Sequence, residues 1–267
     1  MSLRAEPTAR LRDVLYRAGY RSVRDSDDAE GFAGSDTIVF NGKLKYANFI
    51  LFYQAEGAEI RTAESLLNGR ELNNVQKAMV AAGIVQSAYN APAAALILTW
   101  LLEQKPNPTR EEIKDVLTSI FIRDAGYEHY YLAVKLATEL RDFGEFRSEI
   151  APSFRPNLEV VGKPCGKIDG TALVSGEPVF VEDKVPENAW CLHVLRSPFA
   201  SAYIKSIDTS AAEQIEGVVK IVTCFDVPQI KFPTAGHPWS TDPHHQDVAD
   251  RLLLTSRVRF YGDDIAA

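Results

Sequence analysis

The chain has 267 residues, 46% apolar and 24% charged, which suits two or three globular domains and excludes a fibrous or disordered chain. Its formal charge is −7, from 29 basic and 36 acidic residues, so no general attraction to nucleic acid or to an anionic membrane is expected. The three cysteines, Cys165, Cys191 and Cys224, form no disulfide framework and no Cys-x-x-Cys pair, and residues 1–164 contain none.

The N-terminus lacks the apolar segment of a signal peptide, and the longest apolar run, Ala93–Leu102, is too short to span a bilayer. A cytoplasmic chain with a buried helix at that run is expected. Leu11, Val14, Leu15 and Ala18 fall at helical spacing, with Gly19 as a stop. An acidic stretch from Asp25 to Gly34 reads as a solvated loop. Thr37–Phe40, Asn41-Gly42 and Lys43–Tyr46 form a hairpin signal, because Asn-Gly suits a type I′ turn. Asn48–Gln54 reads as a further strand.

From Asn73 to Arg141 the periodicity is helical. One segment carries Val75, Met79, Ala82 and Ile84; a second opens at Asn90 with Pro92 in its first turn; a third starts at the capping box Thr109…Glu112; a fourth runs over Tyr127–Arg141. Short connections make these a four-helix bundle. Beyond a linker, Val179–Val181, Trp190–Leu195, Tyr203–Ile207 and Val218–Val222 read as strands, with a short helix at Ser210–Gln214. The assigned boundaries are 1–68, 69–145, a linker at 146–160, and 161–267.

No phosphate-binding, zinc-protease or serine-hydrolase motif occurs. His237, His244 and His245 with Asp242 and Asp247 read as an unliganded surface loop. His193 reads as a satisfied core histidine, and Cys191 and Cys224 as small core hydrophobes. The residues by themselves show no catalytic constellation.

The segment Val75–Leu96, followed by Asn107–Ile113 and Arg123–Tyr127, resembles the helical iron–sulfur domain of the molybdenum hydroxylases, the family of xanthine dehydrogenase and aldehyde oxidase. There the pattern runs V-Q-C-G-x-C-T-P-G-M, N-P-T-x-x-E-I and C-R-C-T-G-Y. Upstream, Gly31–Thr37, Asn41-Gly42 and Gln54–Ile60 resemble the plant-type ferredoxin domain that precedes it. Val161–Pro164, Lys167–Gly170, Leu195–Pro198, Ile207–Ser210, Pro233–Gly236 and Val258–Gly262 resemble the α/β-hammerhead that opens the molybdenum subunit. Lys163 and Arg196 match family positions and read as structural. The resemblance covers nearly the whole chain. It implies a multidomain α+β fold of β-grasp ferredoxin-like domain, four-helix bundle and α/β-hammerhead.

The departures are systematic. Positions matched to cluster cysteines hold Asp28, Ala33, Asp36 and Asn48 in the ferredoxin-like part, and Ser87, Asn90, Ile122 and Asp124 in the helical part. None carries sulfur, and iron in such clusters is held by thiolates. The expectation is that this chain binds neither cluster nor any other cofactor. Gln86 matches a glutamine that faces the pterin in the family, and reads either as such a contact or as a packing or surface residue. The hairpin that opens the family's ferredoxin domain is shortened or missing, and Gly262–Ala267 reads as an unpaired strand entering the rest of the hammerhead.

The resemblance therefore implies a non-catalytic front subunit or fragment that docks a molybdopterin-binding chain, with FAD and iron–sulfur chains as further partners. Such a complex would hydroxylate an N-heterocycle or oxidise an aldehyde with oxygen from water. The alternative is a stand-alone binding or regulatory protein derived from the enzyme, or a fragment without function.

Overall fold

Asn41 and Gly42 lie at φ of 47° and 77°, the pair of positive angles a type I′ turn demands. They fold β1 (Thr37–Phe40) antiparallel onto β2 (Lys43–Tyr46), with Phe40 opposite Lys43. β3 (Ile60–Arg61) pairs with the other side of β1, giving the order β2-β1-β3. Helix α1 (Leu11–Arg17) lays Leu11 and Leu15 on Ile38 and Ala47 as a small core. The computed structural model describes residues 3–26, 29–121, 123–139, 157–159, 161, 166–186, 188–233, 244 and 249–267.

The run Asn48–Gln54 is not a strand. It forms two 3-10 turns, Ala47–Phe49 and Phe52–Ala55. The cause is local bonding: Asp36 takes the amides of Ala47 and Asn48, and the Gln54 side chain takes that of Leu51, so the chain curls.

The helical region holds α2 (Asn74–Ala81), α3 (Ala91–Gln104), α4 (Arg110–Leu117) and α5 (Tyr127–Glu139). Asn73 and Thr109 cap α2 and α4 with reciprocal Gln76 and Glu112 side chains. Helix α3 buries every residue from Ala91 to Leu98 and lies at the centre of the main core. A helix that the sequence did not signal, α6 (Gly170–Ser175), adds Leu173 and Val174 to that core. The Gln76 side chain donates to the Val174 carbonyl at 3.3 Å.

Met1–Val185 forms one compact unit and Pro186–Ala267 a second. The described residues before Pro186 that the sequence reading assigned to the third domain therefore pack with the first unit. Most of the 146–160 linker lies outside the described residues.

The second unit carries β4 (Leu195–Arg196), β5 (Ala202–Tyr203), α7 (Ser210–Glu213), β6 (Phe232–Pro233), β7 (Ala249–Arg251), β8 (Arg257–Val258) and β9 (Asp264–Ala266). β4 pairs with β9, β5 with β8 and β6 with β7, all antiparallel. Arg196 joins Asp264 across β4 and β9 at 3.2 Å. The long strand expected at Trp190–Leu195 shrinks to its last residue, and Val218–Val222 is no regular strand.

The C-terminal strand is not the unpaired edge expected of it. Ala266 pairs with Leu195 on one side and Thr223 on the other, and Val222 and Ala267 exchange backbone hydrogen bonds. Val179–Val181 is not a strand either. The Asp183 carboxylate accepts the Phe180 amide and turns the chain into a 3-10 segment, Val181–Lys184.

Candidate functional site

Of the eight positions matched to cluster ligands, Asp28 and Ile122 lie outside the described residues. The other six fall into two groups. In the first, Ala33, Asp36 and Asn48 are buried at 5%, 3% and 7% exposure. The Asn48 amide donates to Asp36 Oδ2 at 2.7 Å, while Asn48 Oδ1 is buried without a hydrogen-bond partner. In the second, Ser87 donates to Asp124 Oδ1 through its hydroxyl at 2.6 Å and its amide at 3.3 Å. The Ala88 amide donates to Asp124 Oδ2 at 2.9 Å. Asn90 precedes α3 and is buried, with Nδ2 lacking a partner.

The two groups are joined. The Phe121 amide donates to the Phe32 carbonyl at 2.9 Å, and the Tyr89 hydroxyl donates to the Asp25 carbonyl at 3.3 Å. Gly34 permits this closeness: at φ 67° a side chain there would meet the Ser119 carbonyl oxygen at 2.4 Å. A cleft of about 620 Å³ lies beside the first group, walled by Phe40, Leu44, Phe49 and Val116. Its charged lining residues, Lys45 and Asp115, belong to no nucleophile–base pair.

Arg24 stands between the groups, and no pattern in the sequence marked it. Its side chain is 1% exposed, lying 5.0 Å from the Tyr89 ring and 4.5 Å from the Phe180 ring. Nη2 meets Asp183 Oδ2 at 3.0 Å, and the Tyr16 hydroxyl donates to Asp183 Oδ1 at 2.9 Å. Burial alone would raise the Asp183 pKa, but the Tyr16 and Arg24 hydrogen bonds outweigh it and leave the carboxyl below its usual value. Burial pushes the Tyr89 hydroxyl up to about 12.

Gln86 is exposed, its Nε2 donating only weakly to the Gly83 carbonyl at 3.4 Å, so bundle packing does not hold it. His193 and Cys191 are exposed, contrary to the core placement expected of them: the strand that would have buried them does not form. Cys224 is buried as expected, and burial raises its thiol pKa. His237, His245, Asp242 and Asp247 lie outside the described residues. Among the described residues no three His, Cys, Asp or Glu side chains gather as a metal site.

Comparison with known proteins fits this layout. A family described as "[2Fe-2S] binding domain" matches residues 62–135. Another, described as "Aldehyde oxidase and xanthine dehydrogenase, a/b hammerhead domain", matches residues 175–267. The nicotinate dehydrogenase small FeS subunit of Eubacterium barkeri is 33% identical over 139 residues, 52% of this chain and 88% of that subunit. This chain belongs to the molybdenum hydroxylase family.

As a molybdenum hydroxylase chain it is similar along its length to larger relatives. "Probable hypoxanthine oxidase XdhD" of Escherichia coli is 44% identical over 265 residues, 99% of this chain but 27% of that protein. The solved aldehyde oxidoreductase of Desulfovibrio gigas has a TM-score of 0.79 at 26% identity, covering 100% of this chain and 30% of its own. The chain thus spans under a third of the length of these two hydroxylase relatives. The mixed α+β, multidomain architecture is theirs.

Proposed function

We propose that this chain is a cluster-free front part of a molybdenum hydroxylase, non-catalytic by itself, that acts as a docking scaffold for the molybdopterin-binding polypeptide. The make-up of the two ligand-position groups carries the reading. No cysteine thiol is available in residues 1–164, and Ala33 and Ile122 offer no ligand atom. Carboxylate, amide and hydroxyl oxygens suit harder ions than cluster iron. Asp36 and Asp124 moreover direct oxygens to backbone amides. These residues do not fit a [2Fe-2S] cluster, so no electron step is assigned to them. Electrons from molybdenum would leave through separate iron–sulfur and FAD chains.

The second unit supports the docking role. Trp190, Leu192, Phe199, Tyr203, Ile230 and Tyr261 are 64% to 80% exposed, while its buried apolar residues among the described ones are Cys224, Leu254, Val258 and Ala266. A unit that exposes larger apolar side chains than it buries presents an interaction surface. Gln86, exposed on its loop, is the pterin contact we assign in that complex. The substrate is chosen by the partner.

Anaerobic co-purification with the molybdopterin-binding polypeptide tests both halves. The expected result is a stable complex containing molybdenum, with no iron on this chain and no visible iron–sulfur absorption. A brown isolated chain holding iron and sulfide overturns the cluster-free reading. A monomer that ignores the polypeptide overturns the scaffold role and favours a free-standing binding protein.

A further inference from the structure

The two groups are built alike. At each, an aspartate at one ligand position holds the backbone amide of another ligand position. Asp36 takes the Asn48 amide at 2.7 Å, across 12 residues of chain. Asp124 takes the Ser87 hydroxyl and amide and the Ala88 amide, across 36 and 37 residues. A thiolate cluster would tie such positions together through iron, and its sulfurs accept hydrogen bonds from nearby amides. Without it, the loops lose a cross-link, and the amides of the buried residues Asn48 and Ala88 lose an acceptor, which is costly.

The geometry points to a direct replacement. We propose that Asp36 and Asp124 do the structural work of the two clusters. Each carboxylate puts negative charge where an anionic cluster would lie, accepts the amides that would face its sulfurs, and cross-links the same segments without metal. The Ala88 backbone shows why a tether is needed at the second group. It sits at φ 64° and is fully buried, a left-handed conformation that alanine disfavours and that persists only when surroundings impose it. Two bonds from Asp124 to Ser87 and Ala88 amides impose it. Asp124 is in this sense a positioning residue for the loop that carries Gln86. The proposal rests on the cluster-free reading above.

Asp36→Asn and Asp124→Asn, made in the full chain, keep side-chain volume while removing the charge. Amide hydrogen exchange is the readout. Asp124→Asn is expected to speed exchange at Ser87 and Ala88 by about tenfold or more, and Asp36→Asn to do so at Asn48, the size of a charge-assisted hydrogen bond. The rest of the main core keeps its protection, which general destabilisation would not allow. Ser87→Ala, a milder change, is expected to speed Ala88 exchange less, and to add nothing on top of Asp124→Asn. Anaerobic exposure to iron and sulfide should leave all these proteins colourless.

Unchanged exchange at these amides, with no iron bound, overturns the replacement while leaving the cluster-free reading intact. Iron uptake by the wild-type chain that Asp124→Asn or Asp36→Asn abolishes overturns both, because the aspartates would then be ligands. Faster loop exchange in the variants supports the replacement even where the wild-type chain fails to bind the molybdopterin polypeptide, an outcome that sinks only the scaffold role.

Discussion

Arg24 carries a full charge into the interior, and its place there depends on residues far along the chain. Its side chain and that of Asp183 are 1% and 0% exposed, and 159 residues separate them. Two aromatic faces, the buried Asp183 carboxylate, the more exposed Glu182 carboxylate at 3.6 Å and the Glu177 carbonyl substitute for water around the guanidinium. Arg24→Met is therefore expected to cost about 3 kcal/mol, because it leaves the buried Asp183 carboxylate without its cation, held only by the Tyr16 hydroxyl and the Phe180 amide. Urea denaturation of the first unit measures it, and a loss under 1 kcal/mol would reduce the pair to a bystander. Lysine at position 24 is expected to restore only part of the loss, since a point charge cannot stack between the Tyr89 and Phe180 rings as a planar guanidinium does. Nothing near Arg24 in the sequence announces this. The absence of cluster thiolates, by contrast, is legible from single letters, because Ala33 and Ile122 have no donor atom in any fold.

Elements set by local chemistry were the readable ones. Asn41-Gly42, Pro92 and the Thr109…Glu112 box each act within one turn of chain, and hairpin, α3 and α4 form where they indicate. At α4 the Lys105 ammonium and the Thr109 amide and hydroxyl lower the Glu112 pKa from 4.5 to about 2. A depressed pKa stabilises the fold above the unfolded value and loses that support as pH falls. The α4 contribution is thus expected to be complete above about pH 4.5 and to fade toward about pH 2. Thr109→Ala should cost about 1 kcal/mol at neutral pH and flatten this acid limb, which thermal melts along a pH series would read. Melting temperatures with the same acid dependence in both proteins would refute the cap's part in it. Short apolar runs were the unreadable elements. Val179–Val181 and Trp190–Leu195 alternate like strands, but the first is turned by Asp183 and the second has no partner strand among the described residues over most of its length. Helix α6 escaped notice because six residues are too few to show a helical period.

On the scale of the whole molecule, the division falls after Val185. The first unit is closed by α6 and by Asp183, so a chain cut after Val185 is expected to fold cooperatively. A chain cut at 145, where the sequence placed the end of the helical domain, should not match its stability, since it strands Arg24 and uncovers the core under Leu173 and Val174. Circular dichroism melts of the two truncations check this, and equal stability would show that the 166–185 segment is dispensable. Among the described residues, the second unit has the opposite character, with its largest apolar side chains outward. The sequence by itself determined the family's order of domains, the turns and caps, and the lack of sulfur at the ligand positions. The first rests on the resemblance to the family, and the others follow from residue identity or from interactions within one turn of chain. Only the tertiary structure decided that Asp36 and Asp124 hold the amides of Asn48, Ser87 and Ala88, and where the first unit ends. Asp124 reaches Ser87, and Arg24 reaches Asp183, through contacts between residues 37 and 159 positions apart. Such contacts depend on how helices and loops pack, which no local propensity encodes.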